Sequence, residues 1–187
     1  MINIIVAYSR RNGIGIANKL PWHLGDDIRT FKKKTIGEGN NSVIMGRKTW
    51  ESLPYYSKPL RKRHNIIVSN TLDGNLINDQ NCTVVCTLKD AFQYCNDKHF
   101  SKNWVIGGEG IYKSVLDETP VDEIHVTNIN NDITCDTYFP SIPKNYNMVD
   151  ATPWKNEGGY IFRYETYKNY SETSMNYYLS RTSLYIV

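Results

Sequence analysis

"VIMGRKTW", residues 43–50, places an apolar run of strand length, a glycine, two cations and a threonine in eight consecutive positions, the last of them reading as the start of a helix. A strand that turns into a helix through glycine aims backbone N–H groups at whatever lies beyond the strand's end, and here two basic side chains point the same way. "VIGGEGIY", residues 105–112, repeats the arrangement, with a Gly-Gly pair that lets another group approach the backbone closely. A plain strand-to-helix turn accounts for either stretch alone. Two in one parallel sheet suggest a ligand with two phosphate groups.

Working outward, "INIIVAYS" (2–9) is a continuous apolar run of the kind found in a central strand covered on both faces. Further strands are expected at 42–46, 64–69, 82–86, 103–108 and 123–129, with helices at roughly 26–36, 48–52, 88–96 and 109–117. Strand and helix alternate, so the fold class is α/β, one domain with a largely parallel sheet and helices on its faces. The last third differs. "YNMVDATPW" (146–154) and "GGYIFRYETY" (158–167) are aromatic-rich strand candidates joined by a polar turn with Gly158 and Gly159, which predicts a C-terminal antiparallel hairpin.

A chain of 187 residues with 40% hydrophobic and 22% charged residues belongs to the ordinary globular class. The apolar run at the N-terminus has no basic segment before it and is too short for a signal peptide or a membrane span, so a cytoplasmic protein without a membrane partner is expected. Cys82, Cys86, Cys95 and Cys135 form neither a CxxC pair nor a zinc-spaced set with histidine, so free thiols and no metal site are expected. A net charge of +3 does not argue for nucleic acid. The local clusters "FKKK" (31–34) and "LRKRH" (60–64) read as solvated faces or as attraction for a small polyanion.

"LPWHLGDDIRTFKK" (20–33) raises a sharper question, because two adjacent carboxylates open a helix and only one of them can face inward. With the helix beginning near Gly25, Leu24, Asp27, Ile28 and Phe31 share one stripe, apolar except at Asp27. Asp26 falls on the other side, where an acidic group in the first turn complements the helix dipole and can cap free N–H groups. A carboxylate on the apolar stripe needs hydrogen bonds or a cation to offset desolvation. Backbone groups, a Thr or a Trp indole would serve, and so would a ligand with paired N–H donors such as an amino-heterocycle.

Taken together, "LPWHLGDDIRTFKK", "VIMGRKTWESLP", "RKRHNIIVS", "VIGGEGIY", "HVTNI" and "CDTYFP" resemble the dihydrofolate reductase family in order and approximate spacing, over residues 1 to about 168. The resemblance implies a central eight-stranded, mostly parallel (mixed) sheet flanked by four helices. It also implies NADPH-dependent reduction of 7,8-dihydrofolate, with hydride transfer to pterin C6 and protonation of N5. Under it, Asp27 is the acidic residue of the pterin pocket, Thr127 bonds it, Trp22 reaches the pocket through water, and Leu20 tips the loop that closes over the nicotinamide. Ile5, Val6, Ala7, Phe31, Ile106 and Tyr112 surround pterin and nicotinamide. Leu24, Ile28, Leu53 and Leu60 line the benzoyl channel, with Arg63 on the glutamate carboxylate. The cofactor set comprises Ala7, Ile14, Gly15, Asn18, Gly46, Arg47, Lys48, Thr49, Ser69, Asn70, Ile106, Gly107, Gly108, Glu109, Gly110, Ile111 and Tyr112. A cis bond at Gly107-Gly108, a monomer and binding of antifolates follow from the same resemblance.

Leu20 and Cys135 depart from residues common in the family, Met at the loop tip and Gly in a distant loop that contacts it. Residues 169–187 match nothing in the family's core and read as an extension to a domain spanning 1–168, with Met175, Tyr178, Leu179 and Tyr185 as a helical apolar stripe. His23, His64, His99 and His125 read as surface or satisfied residues. Two other functions share parts of this pattern. One is a reductase of the same fold acting on another heterocycle, which would not need Asp27, Arg63 and "LPW" together, and the other is a catalytically silent folate- or nucleotide-binding module, with the tail as a link to a thymidylate synthase.

Overall fold

The apolar run Ile2–Ser9 is a strand covered on both faces in the computed structural model, which describes residues 1–77 and 79–169. In chain order the elements are β1 (Ile2–Ser9), β2 (Gly13–Gly15), α1 (Gly25–Ile36), β3 (Asn41–Gly46), α2 (Arg47–Ser52), β4 (His64–Val68), β5 (Cys82–Val85), α3 (Leu88–Asp97), β6 (Lys102–Gly107), α4 (Glu109–Glu118), β7 (Glu123–Ile129), β8 (Thr137–Tyr138), β9 (Tyr146–Ala151), β10 (Lys155–Glu157) and β11 (Tyr160–Asn169). The expected extension lies outside the described residues apart from Asn169, and so does its apolar stripe. No helix among the described residues is long and apolar enough to cross a membrane.

The main sheet runs β10-β11-β7-β1-β6-β3-β4-β5. Pairings β7-β1, β1-β6, β6-β3, β3-β4 and β4-β5 are parallel, and β11 returns antiparallel to β7. The period of two divides the core. Ile4, Val6 and Tyr8 pack with Ala91 and Cys95 of α3 and Tyr112 and Val115 of α4 on one face. On the other face Ile5 packs with Met45, Leu60 and Trp104 against Phe31 of α1 and Trp50 of α2.

The C-terminal hairpin is present, with one change to its expected partner. "YNMVDATPW" holds one strand, β9, which stops before Pro153, a residue with no N–H to give the ladder, and pairing resumes beyond it in β10. Both pieces, β9 and β10, pair with β11, so nine strands fill eight positions. A second sheet, β2 with β8, was not expected. Strands of three and two residues carry no periodicity to read. Its partners hold the 13–19 loop: Asp136 N–H donates to Gly15 O at 3.0 Å, and Ala17 N–H donates to the Asp136 carboxylate at 2.8 Å. Cys135 Sγ lies only 2.5 Å from where a Cβ on Gly13 would stand, so any side chain there would displace this loop.

α1 begins at Gly25, as its periodicity predicts, but its cap comes from elsewhere. The free N–H groups of Gly25 and Asp26 donate to the two carboxylate oxygens of Glu157 on β10, at 2.8 and 3.1 Å. Asp26 instead takes the Lys155 ammonium at 3.0 Å, the Tyr164 hydroxyl at 3.2 Å and Arg29 at 3.4 Å. The Lys155 hydrogen bond leads in holding its carboxyl below the usual aspartate range. Glu157→Ala should therefore cost about 0.5–2 kcal/mol, the usual worth of a helix cap, read as a lower urea midpoint with an unchanged m-value.

Candidate active site

Asp27 stands two residues inside α1 with its side chain turned to the sheet. Thr127 on β7 donates its hydroxyl to the Asp27 carboxylate at 2.6 Å. Burial raises the carboxyl's pKa above the ordinary aspartate value, the Thr127 hydrogen bond pulls it back, and the charges of Asp26 and Glu157 push it further up. Two adjacent carboxylates thus have opposite shifts: Asp26 is paired with cations at the rim and Asp27 is desolvated beside a hydroxyl. The indole Nε1 of buried Trp22 has no hydrogen-bond partner, which leaves its N–H for an acceptor the described residues do not supply.

From Asp27 an apolar surface runs along α1. Ile28 is 50% exposed, and Phe31, Ile5, Leu53 and Ile106 are half-buried, the last four packed on the cluster around Met45, Leu60 and Trp104. At its far end is Arg63, buried, stacked over Phe31 and donating to Thr35 Oγ1 at 2.7 Å and to Arg61 O at 3.0 Å. Thr35 is eight residues beyond Asp27, about 12 Å of helix. Arg63 has no carboxylate partner among the described residues, and burial lowers its pKa to about 10. Asn65 holds it in place, its side-chain amide donating to Leu60 O and Arg63 O while its carbonyl accepts from Leu60 N–H. Leu60 is consequently buried beneath this surface, not exposed on it.

The two glycine turns adjoin because β3 and β6 are neighbours, with Met45 opposite Gly107. A Cβ on Gly46 would meet Ile111 Cγ1 at 3.1 Å, and one on Gly108 would meet Thr49 Oγ1 at 3.2 Å, so a side chain at either position would press on its neighbour and narrow this floor. Gly107-Gly108 is cis, as is Lys58-Pro59. Lys48, Asn70, Glu109 and Gly110 are exposed around it. Arg47 is already engaged, donating to Glu51 at 2.7 Å.

Some expected residues are placed differently. Val6 turns into the opposite face of the sheet with Ile4 and Tyr8, so only its backbone can reach this side. Tyr112 is buried, its hydroxyl donating to Ile5 O at 2.9 Å and its ring beneath Gly107, so it supports the site and offers no free donor. Ser69 Oγ accepts from the N–H groups of Thr71 and Leu72, closing its own turn. Ile14, Gly15 and Asn18 belong to the loop held by β8, Ala7 is half-buried beside Trp22 and Leu24, and Leu20 is 61% exposed. His125 is buried and partnered.

A sequence profile of dihydrofolate reductase matches residues 1–169. The chain belongs to the dihydrofolate reductase family. It is 34% identical over 186 residues to the dihydrofolate reductase of Schistosoma mansoni, covering 91% of this chain and 97% of that protein. Over 156 residues it is 33% identical to that of Heliothis virescens, 80% of this chain and 84% of the relative. It is also 35% identical over 147 residues to bifunctional dihydrofolate reductase-thymidylate synthase 2 of Arabidopsis thaliana, 74% of this chain but 26% of that protein. The chain thus spans about a quarter of the length of that bifunctional relative. Dihydrofolate reductases draw, in general terms, on a nicotinamide dinucleotide.

Sequence reading missed Thr35, Asn65 and Glu157. Thr35 and Glu157 lie far along the chain from the groups they serve, and Asn65, although close to Leu60 and Arg63, closes an irregular turn with no periodicity, so none showed a pattern in its own segment. Asp27's raised pKa fixes a sign. Its protonated form is favoured on folding, so its stabilising contribution is present below the unfolded aspartate value and is lost as pH rises through the folded one. Asp27→Asn should raise the urea midpoint relative to wild type at pH 7, with the gain disappearing below the ordinary carboxylate range.

Proposed function

We propose that this protein reduces 7,8-dihydrofolate to 5,6,7,8-tetrahydrofolate with NADPH. The observation that supports it best is the layout along α1: a desolvated carboxylate at Asp27 and a carboxylate-free buried guanidinium held by Thr35, two helix positions separated by about 12 Å of rise, with Ile28 and Phe31 between them. A substrate with an amino-heterocycle at one end, an aromatic middle and a carboxylate at the other matches these three in order. Asp27 accepts the heterocycle's paired N–H donors, Arg63 takes the terminal carboxylate with a bidentate fork, and Ile5, Phe31, Ile106 and Leu53 exclude water from the faces between.

The glycine turns fit a dinucleotide, since side chains at Gly46 and Gly108 would fill the floor where a pyrophosphate needs close backbone approach. When bound, the nicotinamide supplies the hydride. Thr49 and the Gly107–Gly110 turn hold the pyrophosphate, and Arg47, Lys48 and Asn70 read the adenosine phosphate. Asp27's part is with the proton. Kept from solvent on the folate side and bonded to Thr127, it favours protonation of a bound heterocycle whose N–H groups it accepts, at a rate set by its own protonation state. Antifolates with the same donor pattern compete for Asp27. Cys82, Cys86, Cys95 and Cys135, all unpaired thiols, suit a cytoplasmic protein, and we assign it a monomeric state with residues 1–168 as the catalytic domain.

NADPH oxidation on addition of dihydrofolate, followed by absorbance, tests the activity directly; no dihydrofolate-dependent rate would overturn it. Asp27→Asn should lower turnover at pH 7 by about 100-fold or more, with activity recovering at low pH where solvent protonates the substrate. Asp26→Asn should leave turnover within a few-fold.

For cofactor choice, a charge-assisted phosphate contact is worth roughly 1.5–3 kcal/mol, one to two powers of ten in affinity. Arg47→Ala should weaken NADPH binding by that factor and leave NADH unchanged. Glu51→Gln, which frees Arg47 and removes a repelling carboxylate, should tighten NADPH alone. Equal changes for both cofactors, by fluorescence titration, would remove Arg47 from phosphate recognition.

A further inference from the structure

The main sheet has an open edge beside β11. β9 pairs on one side with β11, and no strand among the described residues flanks its other side. Open edges in natural sheets are usually very short or carry Lys or Pro, which deter a further strand from pairing. β10 shows this protection, being three residues long and beginning with Lys155. β9, "YNMVDA", is six residues long without Lys or Pro, and all of it but Tyr146 is exposed. Its one protective device is a bulge at Val149, which has no register partner on β11.

Apolar side chains gather along the same edge. Of the ten large apolar residues left exposed among the described residues, Met148, Val149, Trp154 and Ile161 all fall between positions 148 and 161. Met148 stands opposite Tyr167, and alternation along β11 puts Arg163 and Ile161 on that same face, with the Arg163 guanidinium 4.6 Å over the Trp154 ring. Unpaired backbone with an apolar row beside it suits an added strand, which covers both at once.

We propose that the occupant is residues 175–180 of the same chain, "MNYYLS", added as a strand parallel to β9 along its open edge. The described chain leaves β11 at Asn169, which lies opposite Tyr146, the first residue of β9, with Asn145 Nδ2 donating to Asn169 Oδ1 at 3.1 Å. A strand beyond β9 is two strand spacings from β11, about 10 Å, and residues 170–174 span up to ~17 Å when extended. Crossing there, the chain runs from Tyr146 towards Ala151, as β9 does. The segment has the length of β9 and alternates, with Met175, Tyr177 and Leu179 on one face and Asn176, Tyr178 and Ser180 on the other, the pattern of a strand with one face covered and one in water. Charge agrees with this direction. Glu172 precedes the segment as exposed Lys144 precedes β9, and Arg181 follows it at the end where exposed Asp150 stands. An antiparallel run would instead bring Glu172 towards Asp150 and Arg181 towards Lys144. No residue of β9 belongs to the substrate or cofactor surfaces assigned above, so this reading does not depend on the reaction.

Amide hydrogen exchange of the full chain, read by NMR, provides the test. In the wild type, the β9 amides that do not bond β11 should exchange at least about tenfold more slowly than unprotected amides, to the same degree at every protein concentration. Tyr177→Pro, which removes an N–H and bars strand pairing at the centre of the segment, should return those amides to fast exchange while β1 and β7 stay protected. Tyr177→Thr, which keeps strand propensity, should retain the protection. Fast exchange of these β9 amides in the wild type would overturn the proposal, and so would protection that Tyr177→Pro leaves unmoved or helical chemical shifts across 175–180. Protection that grows with concentration, together with a doubled mass by light scattering, would assign the edge to a second copy of the chain and overturn it as well. Should Tyr177→Pro fail to fold, the wild-type exchange and chemical shifts decide alone.

Discussion

A carboxylate held out of water on an otherwise apolar helix face is the constraint around which this molecule is arranged. Asp27 can remain there because Thr127 meets it at 2.6 Å from the neighbouring strand and because α1 is fixed relative to the sheet. Both conditions are tertiary. The helix is anchored at its first turn by Glu157 from β10, and the adjacent carboxylate of Asp26 is drawn outward by Lys155 and Tyr164. One short edge strand therefore supplies both the cap that positions the helix and the cation that separates the roles of two neighbouring aspartates.

The same helix gives the site its length scale. Its first turn carries the carboxylate and its last turn carries Thr35, which holds the Arg63 guanidinium, so the distance between the charge-recognising ends is set by helical rise and does not depend on loop conformation. Arg63 would otherwise be a mobile loop residue. Asn65 prevents this by satisfying backbone groups at both ends of the preceding turn, from Leu60 to Arg63. At the other side of the sheet Tyr112 spans from α4 to Ile5 O, tying the Gly107 turn to β1. The dinucleotide turns and the pterin end of the site are thus parts of one rigid layer, as positioning for hydride transfer requires.

Much of this was legible in the residues themselves. Strand and helix alternation, the boundaries of α1, α3 and α4, the paired glycine turns and the inward phase of Asp27 follow from short-range periodicity and glycine placement, which act within a single element. Assignment of the family rested on the joint order of six short motifs, each weak alone. Less was readable where the chain leaves regular periodicity. The split of β9 from β10 turned on one proline, and the β2-β8 pair was too short to register.

The sequence by itself determined the fold class, which carboxylate faces inward and the two backbone turns suited to phosphate, because each is a matter of periodicity or of a residue's own conformational range. Tertiary structure alone decided that Glu157 caps α1, that Thr35 holds Arg63, and that Tyr112 supports the site from α4 without offering it a free polar group. These depend on polar pairs up to 132 residues apart in the chain. Hydrogen bonds and shared cavities leave no periodic trace in either partner's segment, so they exist only once the sheet has brought the segments together.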